Sequence, residues 1–138
     1  PQLDADEITM CTQFIKENFK QELDFLHNGL VYYQTGQLLF THAGFDTALE
    51  NWQDTTESSF IWVREHYKQP NTSGYLNIFG HTPTHFIHES YDIWQDEEQK
   101  YMAIDGGCVF GGQLNAVLVN EKGELVEKFH VLSSLPKT

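Results

Sequence analysis

The sequence predicts an α/β fold in which helices come first and strands dominate the second half. Two observations support this prediction. Apolar residues recur at three- and four-residue steps near the start, and short apolar runs separated by turn residues fill the last third. With 138 residues, 40% hydrophobic and 14% aromatic, the chain can bury an ordinary core. We therefore expect residues 1–138 to belong to a single domain.

The first thirty residues predict two helices. Asp4 and Glu7 form a variant of the capping box at the start of an amphipathic segment over residues 4–19. A second short helix through residues 23–26 should end at Asn28-Gly29, because glycine readily takes the left-handed conformation that terminates helices.

The middle of the chain predicts a hairpin and then more helix. Residues 30–33 and 38–41 are β-rich and are joined by a short glycine-containing turn, which is typical of a β-hairpin. Residues 47–67 have a helical pattern that breaks near 54–56, with Thr56 or Glu57 starting the second helix.

The remaining apolar runs predict strands. Residues 75–79 form a short continuous apolar strand, and residues 84–89 are a candidate for another. Four further runs predict an antiparallel meander at residues 101–104, 109–110, 114–119 and 125–132.

Charge and cysteine usage limit the possible partners. With 20 acidic against 8 basic residues, the net charge of -12 would repel a phosphate backbone, so we expect no nucleic-acid partner. Cys11 and Cys108 lack the Cys-x-x-Cys spacing of a zinc knuckle, and residues 1–7 are too acidic for a signal peptide. These features predict a cytoplasmic protein with no membrane partner.

Two histidines share an unusual sequence context. His42 and His81 each follow an apolar strand directly, and each is followed by residues that favour a turn. Neutral imidazole is a common ligand of Zn, Fe and Mn, and strand ends hold it rigidly. On spacing alone, a metal ligand and a hydrogen-bonded structural histidine are equally good interpretations.

Four segments in order resemble motifs of the calcineurin-like metallophosphoesterases. Residues 40–44 (Phe-Thr-His-Ala-Gly) resemble the Val-His-Gly/Ala-Gly motif, and residues 79–83 (Phe-Gly-His-Thr-Pro) resemble the Gly-His-Thr-Pro motif. Residues 62–65 are similar to the intervening Trp-x-Arg-Glu segment, and residues 104–114 to the later Ile-Asp-Thr-Gly-x-Val-Phe-Gly-Gly-x-Leu segment. Within the superfamily, the chain looks most like bacterial and phage serine/threonine protein phosphatases and symmetrical diadenosine tetraphosphatases.

The resemblance implies an αββα sheet sandwich and a two-metal centre. His42 and His81 would both bind the second metal, with Mn²⁺ the leading candidate and Fe or Zn as alternatives. Arg64, the only arginine, would clamp the substrate's phosphoryl oxygens. The alternative for Arg64 is a surface ion pair with one of the nearby carboxylates, Asp54, Glu57 or Glu65.

The resemblance says less about the other polar residues. Asp105 would either support a metal ligand from outside or stabilise its own turn through an Asx hydrogen bond. Pro83 stands where other branches of the superfamily have a further metal-binding histidine, and with Gly80 it makes a helix there unexpected. His85 and His88 are therefore predicted to be surface residues. His27, His66 and His130 carry no functional signal.

The family's first three motifs are missing from the sequence. These motifs, Asp-x-His, Gly-Asp-x-x-Asp-Arg-Gly and Gly-Asn-His-Glu, supply the other metal ligands and the catalytic histidine. The resemblance thus implies the C-terminal portion of a domain whose intact form hydrolyses a phosphorylated protein or small phosphoester with a metal-bridging hydroxide. Alone, this portion should have negligible phosphatase activity.

Three further expectations follow from the missing motifs. The parent could instead hydrolyse dinucleoside polyphosphates, or the chain could be a non-catalytic binding or regulatory module. Half a sheet sandwich would also expose an apolar face, so the chain should self-associate or pair with its missing half.

Overall fold

The computed structural model describes residues 4–136, which form two compact units divided in sequence between Leu30 and Val31. The first unit contains helix α1 (Ala5–Asn18) and helix α2 (Lys20–His27). Asp4 caps α1 by accepting hydrogen bonds from the amides of Asp6 and Glu7 at 3.0 and 2.9 Å. The Glu7 carboxylate accepts the Asp4 amide at 2.9 Å, which completes the predicted capping box.

The second unit contains two sheets. The larger is mixed and five-stranded, in the order β1-β2-β3-β5-β4, and the smaller pairs β6 with β7 in antiparallel fashion. The strands are β1 (Tyr32–Thr35), β2 (Leu38–Thr41), β3 (Leu76–Phe79), β4 (Trp94–Gln95), β5 (Tyr101–Ala103), β6 (Gln113–Val119) and β7 (Leu125–Leu132). The chain is therefore a mixed α/β protein, as predicted.

The directions of the strands in the larger sheet determine which strand ends lie at the same edge. The predicted β1–β2 hairpin is antiparallel, whereas β2, β3 and β5 run parallel, with Leu39 opposite Asn77 and Phe79 opposite Ala103. The short edge strand β4 pairs antiparallel with β5. The predicted C-terminal meander is correct only for the β6–β7 hairpin, because β5 pairs with β3 rather than with the strands that follow it.

Helical segments are shorter than the sequence pattern predicts. Helix α3 (Glu57–Trp62) begins after Thr56, whose hydroxyl accepts the Ser59 amide at 3.1 Å, so the predicted break and cap are confirmed. The rest of residues 47–67 contains only 3₁₀ turns, at Trp52–Asp54 and His66–Lys68.

Two predicted strands are helical turns. Within residues 84–89, His85–His88 form helix α4, whose N-cap is Thr84. Pro83 lies before the cap, so its ring and missing amide do not interrupt the helix, and the expectation of no helix here is wrong for these four residues. The predicted strand at 109–110 lies in a 3₁₀ turn, Cys108–Phe110, flanked by Gly107 and Gly111 in left-handed conformations.

Within residues 4–136, no helix has the length and apolar character needed to cross a bilayer.

The three parallel strands are buried on both faces. One cluster contains Leu39, Phe79 and Tyr101, and the other contains Leu38, Ile78 and Met102. Alternate residues of the same strands contribute to the two clusters, as the two-residue period of a strand requires. Parallel strands are usually covered on both faces in this way. The central sheet is thus a rigid platform for the loops at its ends.

Candidate functional site

Three of the predicted site residues lie at one edge of the central sheet. Because β2, β3 and β5 are parallel, their carboxyl ends point to the same side. His42 directly follows β2, and His81 and Asp105 each lie two residues beyond β3 and β5. In open α/β sheets this carboxyl edge is the usual location of ligand sites. The topology brings together side chains that are up to 63 residues apart in sequence.

Backbone hydrogen bonds connect the segments that follow β2, β3 and β5. The Gly80 amide donates to the carbonyl of His42 at 2.8 Å, and the Thr84 amide donates to the carbonyl of Asp105 at 2.7 Å. The residue before Asp105, Ile104, donates its amide to the carbonyl of Phe79 at 2.9 Å. The positions of the site residues are therefore coupled to the sheet.

The imidazoles of His42 and His81 are neighbours. Their ring centroids are 5.1 Å apart, and the planes are inclined at 52°. His81 has φ of 64°, in the left-handed region that residues other than glycine seldom occupy, although histidine, like asparagine and aspartate, does so more often than most. This strained backbone is held between Gly80 and Thr82, whose amide donates to the Gly80 carbonyl at 2.6 Å.

The environment of His81 favours a neutral ring. Burial lowers the pKa of His81 below its usual value, and the Arg64 and His42 charges lower it further, while Asp105 opposes them. Its Nε2 atom is shielded from solvent and has no hydrogen-bond partner among residues 4–136. A neutral imidazole with a free, desolvated nitrogen is suited to coordinate a cation.

Arg64 lies close to His81. It follows α3, and its Nη1 contacts the hydroxyl of Thr82, the residue after His81, at 3.5 Å. Of its alternative partners, Glu65 instead pairs with Lys68 at 2.6 Å, and this is the ion pair that forms among residues 4–136. Arg64 is exposed, so its guanidinium remains available to an anion.

Asp105 has a structural role at the same edge. Its Oδ1 accepts the Gly107 amide at 2.9 Å, which is the Asx turn considered as one alternative. Its negative charge also acts on His81. The predicted turn-stabilising role of Asp105 is therefore present in the structure, and support of a histidine ligand by its charge stays a prediction.

The sequence prediction missed two buried polar residues behind the site. His66 is 3% exposed and Asn77 is fully buried, and His66 Nε2 lies 2.9 Å from Asn77 Oδ1. The interpretation that His66 carries no signal is thus incomplete, because it is part of the core. The one signal in the sequence was a polar asparagine within the apolar run 75–79.

Two other histidines lie on α4, outside the site. The His85 ring packs against Phe86 and Tyr91, with centroids 3.8 and 4.9 Å away. His88 Nε2 lies 2.9 Å from the Asp92 carbonyl. Both are half-buried rather than fully exposed, so the predicted surface placement is only partly correct.

A cavity elsewhere in the second unit is a poor alternative site for a phosphate. It has a volume of about 460 Å³ and lies near the start of β5. Asp96, Glu97 and Glu98 line it beside Lys68 and Lys100, and these three carboxylates would repel an anion. None of the four predicted site residues lines this cavity.

The histidine pair fits part of a metal's ligand set. His42 and His81 supply two imidazoles side by side, and one ring nitrogen is shielded and unpartnered. Zinc requires about four ligands and manganese about six, commonly including carboxylates. Within residues 4–136, no group of three or more His, Cys, Asp and Glu side chains is arranged to hold a metal ion.

Comparison of the chain with protein-family models, with curated proteins and with solved structures found no match. The resemblance to the metallophosphoesterases therefore rests on the four motifs alone, and the function it implies remains a prediction.

Proposed function

We propose that the chain belongs to a metal-dependent phosphoesterase that hydrolyses phosphomonoesters in the manner of a serine/threonine protein phosphatase. The observation that carries this proposal is the convergence of His42, His81 and Arg64 at the carboxyl edge of three parallel strands. These residues come from three separate motifs, and they fill the roles of two metal ligands and a phosphoryl clamp.

Each side chain contributes a distinct part of the proposed chemistry. Arg64 binds phosphoryl oxygens and stabilises the negative charge that grows on them, which a planar guanidinium does through paired hydrogen bonds. His42 and His81 would hold a divalent cation through neutral nitrogens. The cation would neutralise the phosphoryl oxygens and acidify water at the site. The Asp105 charge favours a proton on His81 and so opposes the effect of Arg64.

The proposal requires further ligands beyond this pair. Two imidazoles without a carboxylate bind Mn²⁺ weakly, so the remaining ligands would have to come from outside residues 1–138. We accordingly expect weak cation binding and negligible hydrolysis by residues 1–138 alone. If the chain were a non-catalytic module, the histidine pair would show no selective cation binding.

Manganese titration of the ¹⁵N-labelled chain tests the histidine assignment. Paramagnetic Mn²⁺ should broaden the imidazole signals of His42 and His81 before those of other histidines, and His42→Ala should weaken this effect about tenfold or more. His27→Ala is the matched control, because His27 is exposed on α2 and should leave the titration unchanged. Uniform broadening of all histidines would contradict the metal-ligand proposal.

Substrate class is tested in the full-length protein. We expect faster hydrolysis of a phosphopeptide than of diadenosine tetraphosphate, with turnover abolished by His42→Ala. Arg64→Lys keeps the charge but loses the planar fork, so it should lower turnover more than it changes the metal content. Preferential hydrolysis of diadenosine tetraphosphate would instead support the dinucleoside polyphosphatase alternative.

A further inference from the structure

The buried side chain of Asn77 connects two strands next to the site. Its Nδ2 donates to the Leu39 carbonyl at 3.1 Å and to the Thr41 hydroxyl at 3.0 Å. Leu39 and Thr41 belong to β2, and Thr41 directly precedes His42. Asn77 lies on β3, four residues before His81. One amide group thus ties together the strands that lead into both histidines.

The same amide determines the protonation of His66. Because both Nδ2 hydrogens of Asn77 are donated to β2, its Oδ1 must accept a hydrogen bond, and His66 Nε2 must carry the proton. Burial lowers the pKa of His66 to about 4, so the ring is neutral at physiological pH and its Nδ1 carries no proton.

The His66 ring also contacts the chain on the other side of His42. A Cβ atom placed on Gly44 would lie 2.4 to 2.5 Å from three atoms of that ring, so the ring rests directly on the Gly44 backbone. Asn77 therefore holds the residues before His42, and His66 packs against the residues just after it. His42 lies between two contacts made by one buried pair.

Arg64 is connected to the same pair through the backbone. It lies two residues before His66, and Glu65 between them has φ of 62°. The His66 ring is enclosed by Phe45, Phe79 and Tyr101, with centroid distances of 5.9, 4.5 and 5.3 Å. A ring fixed in this cage limits where the loop carrying Arg64 can run.

We propose that His66 and Asn77 are positioning residues that fix His42, His81 and Arg64 relative to one another. This inference rests on the proposed function, because it assumes that the histidine pair binds a cation. We assign the pair no contact with substrate or metal. It acts through the Leu39 carbonyl, the Thr41 hydroxyl and the Gly44 backbone, which place His42 at the sheet edge.

The test compares Mn²⁺ affinity with folding stability in matched variants of the 138-residue chain. His66→Phe keeps a ring in the aromatic cage but removes the hydrogen bond to Asn77. The double variant His66→Phe/Asn77→Leu also removes the Asn77 oxygen that His66→Phe would leave buried and unpaired, so it should regain part of the lost stability. Asn71→Leu is the control, because Asn71 donates to the Tyr75 and Lys100 carbonyls at the opposite end of β3.

We expect both His66 variants to bind Mn²⁺ about tenfold more weakly than the wild type and to shift the imidazole signals of His42. Asn71→Leu should lose stability while its Mn²⁺ affinity stays within about twofold of wild type. If the double variant regains stability together with full Mn²⁺ affinity, the positioning role is wrong. The positioning role is also wrong if Mn²⁺ affinity falls in proportion to stability in every variant, including Asn71→Leu, because the pair would then affect only folding.

Two further measurements, one on His42→Ala and one on the wild type, keep the outcomes distinct. If His42→Ala leaves Mn²⁺ binding unchanged, the proposed function fails, and the positioning role fails with it. If wild-type binding depends on His42 and the His66 variants bind normally, only the positioning role fails. The ¹⁵N shifts of His66 should show the Nε2-protonated tautomer, and an Nδ1-protonated ring would overturn the inferred hydrogen bond without requiring any variant to fold.

Discussion

The two sheets of the second unit are both built from apolar runs, yet they differ in how much of each strand is covered. Leu39 and Met102, on opposite faces of the central sheet, are fully buried. In the β6–β7 hairpin one face packs against the core, while the other exposes Leu114, Phe129 and Val131 at 63%, 48% and 68%. Cross-strand pairing places Leu114 opposite Val131, which makes the exposed apolar surface continuous.

Apolar character alone therefore does not predict burial. The site lies where the strands are covered on both faces, so its residues are held by a fixed core. The hairpin is as apolar as a strand pair that is buried on both faces, but only one of its faces packs against the core. This exposed face is where we expect self-association to occur.

Truncation of the core should distinguish the two sheets most strongly. Phe79→Ala removes a ring that is 1% exposed and should lower the free energy of unfolding by about 4 kcal/mol. Val131→Ala on the exposed face should change it by no more than about 0.5 kcal/mol. Urea denaturation at concentrations too low for self-association measures both, and similar losses in the two variants would mean that the hairpin face is covered within the monomer.

Acidification should weaken the central sheet through His66. The pKa of this imidazole is 6.5 when unfolded and about 4 when buried, so between these values the unfolded chain binds a proton that the folded chain does not. The free energy of unfolding should therefore fall as pH decreases from 6.5 to 4, by about 3 kcal/mol in total.

His66→Phe provides the control for this pH dependence. Carboxylates titrate in the same range, so the informative quantity is the difference between wild type and variant. That difference should shrink steadily from pH 6.5 to 4. A constant difference across this range would show that His66 is not neutral and buried in solution.

A change in the hairpin turn should affect that sheet alone. Asn120 Oδ1 accepts the amides of Lys122 and Glu124 at 2.9 and 3.1 Å in the turn between β6 and β7. Asn120→Ala should cost about 1 kcal/mol and speed hydrogen exchange of β6 and β7 amides about fivefold. Amides of β2 and β3 should exchange at the wild-type rate. Faster exchange in all four strands would indicate that the two sheets open together.

The smallest effect on stability should come from the exposed hairpin face itself. Phe129→Lys places a charge on this face and should change the free energy of unfolding by less than about 0.5 kcal/mol. It should nevertheless weaken self-association, which sedimentation velocity measures directly. Lys128→Glu, on the opposite face of β7, controls for a general effect of charge. A monomeric wild type would contradict the expected self-association.

Local sequence signals predicted the local structure well. The capping box of Asp4 and Glu7, the hairpin before His42 and the cap at Thr56 all depend on residues within a few positions of one another. Short apolar runs were less informative. The apolar runs at residues 84–89 and 109–110 predict strands, but the first contains the helical turn His85–His88 after the cap Thr84, and left-handed glycines enclose a 3₁₀ turn in the second.

The residues of the candidate site were selected from the sequence, but the buried residues behind them were not. Motif resemblance selected His42, Arg64 and His81 and implied that both histidines bind one metal. Nothing local indicated that β2, β3 and β5 are parallel, because strand order depends on contacts distant in sequence. The hydrogen bond between His66 and Asn77 joins residues 11 positions apart, and the one between Asn77 and Leu39 joins residues 38 positions apart, so only the folded chain reveals them.

The left-handed backbone at His81 has an evolutionary consequence. A side chain with φ of 64° costs on the order of 1 kcal/mol, which glycine or asparagine at the same position would largely avoid. A library of variants selected only for folding should therefore enrich His81→Gly and His81→Asn. Lineages that keep histidine at this position would be retaining a residue that lowers thermal tolerance, as expected when a site is maintained for what it binds.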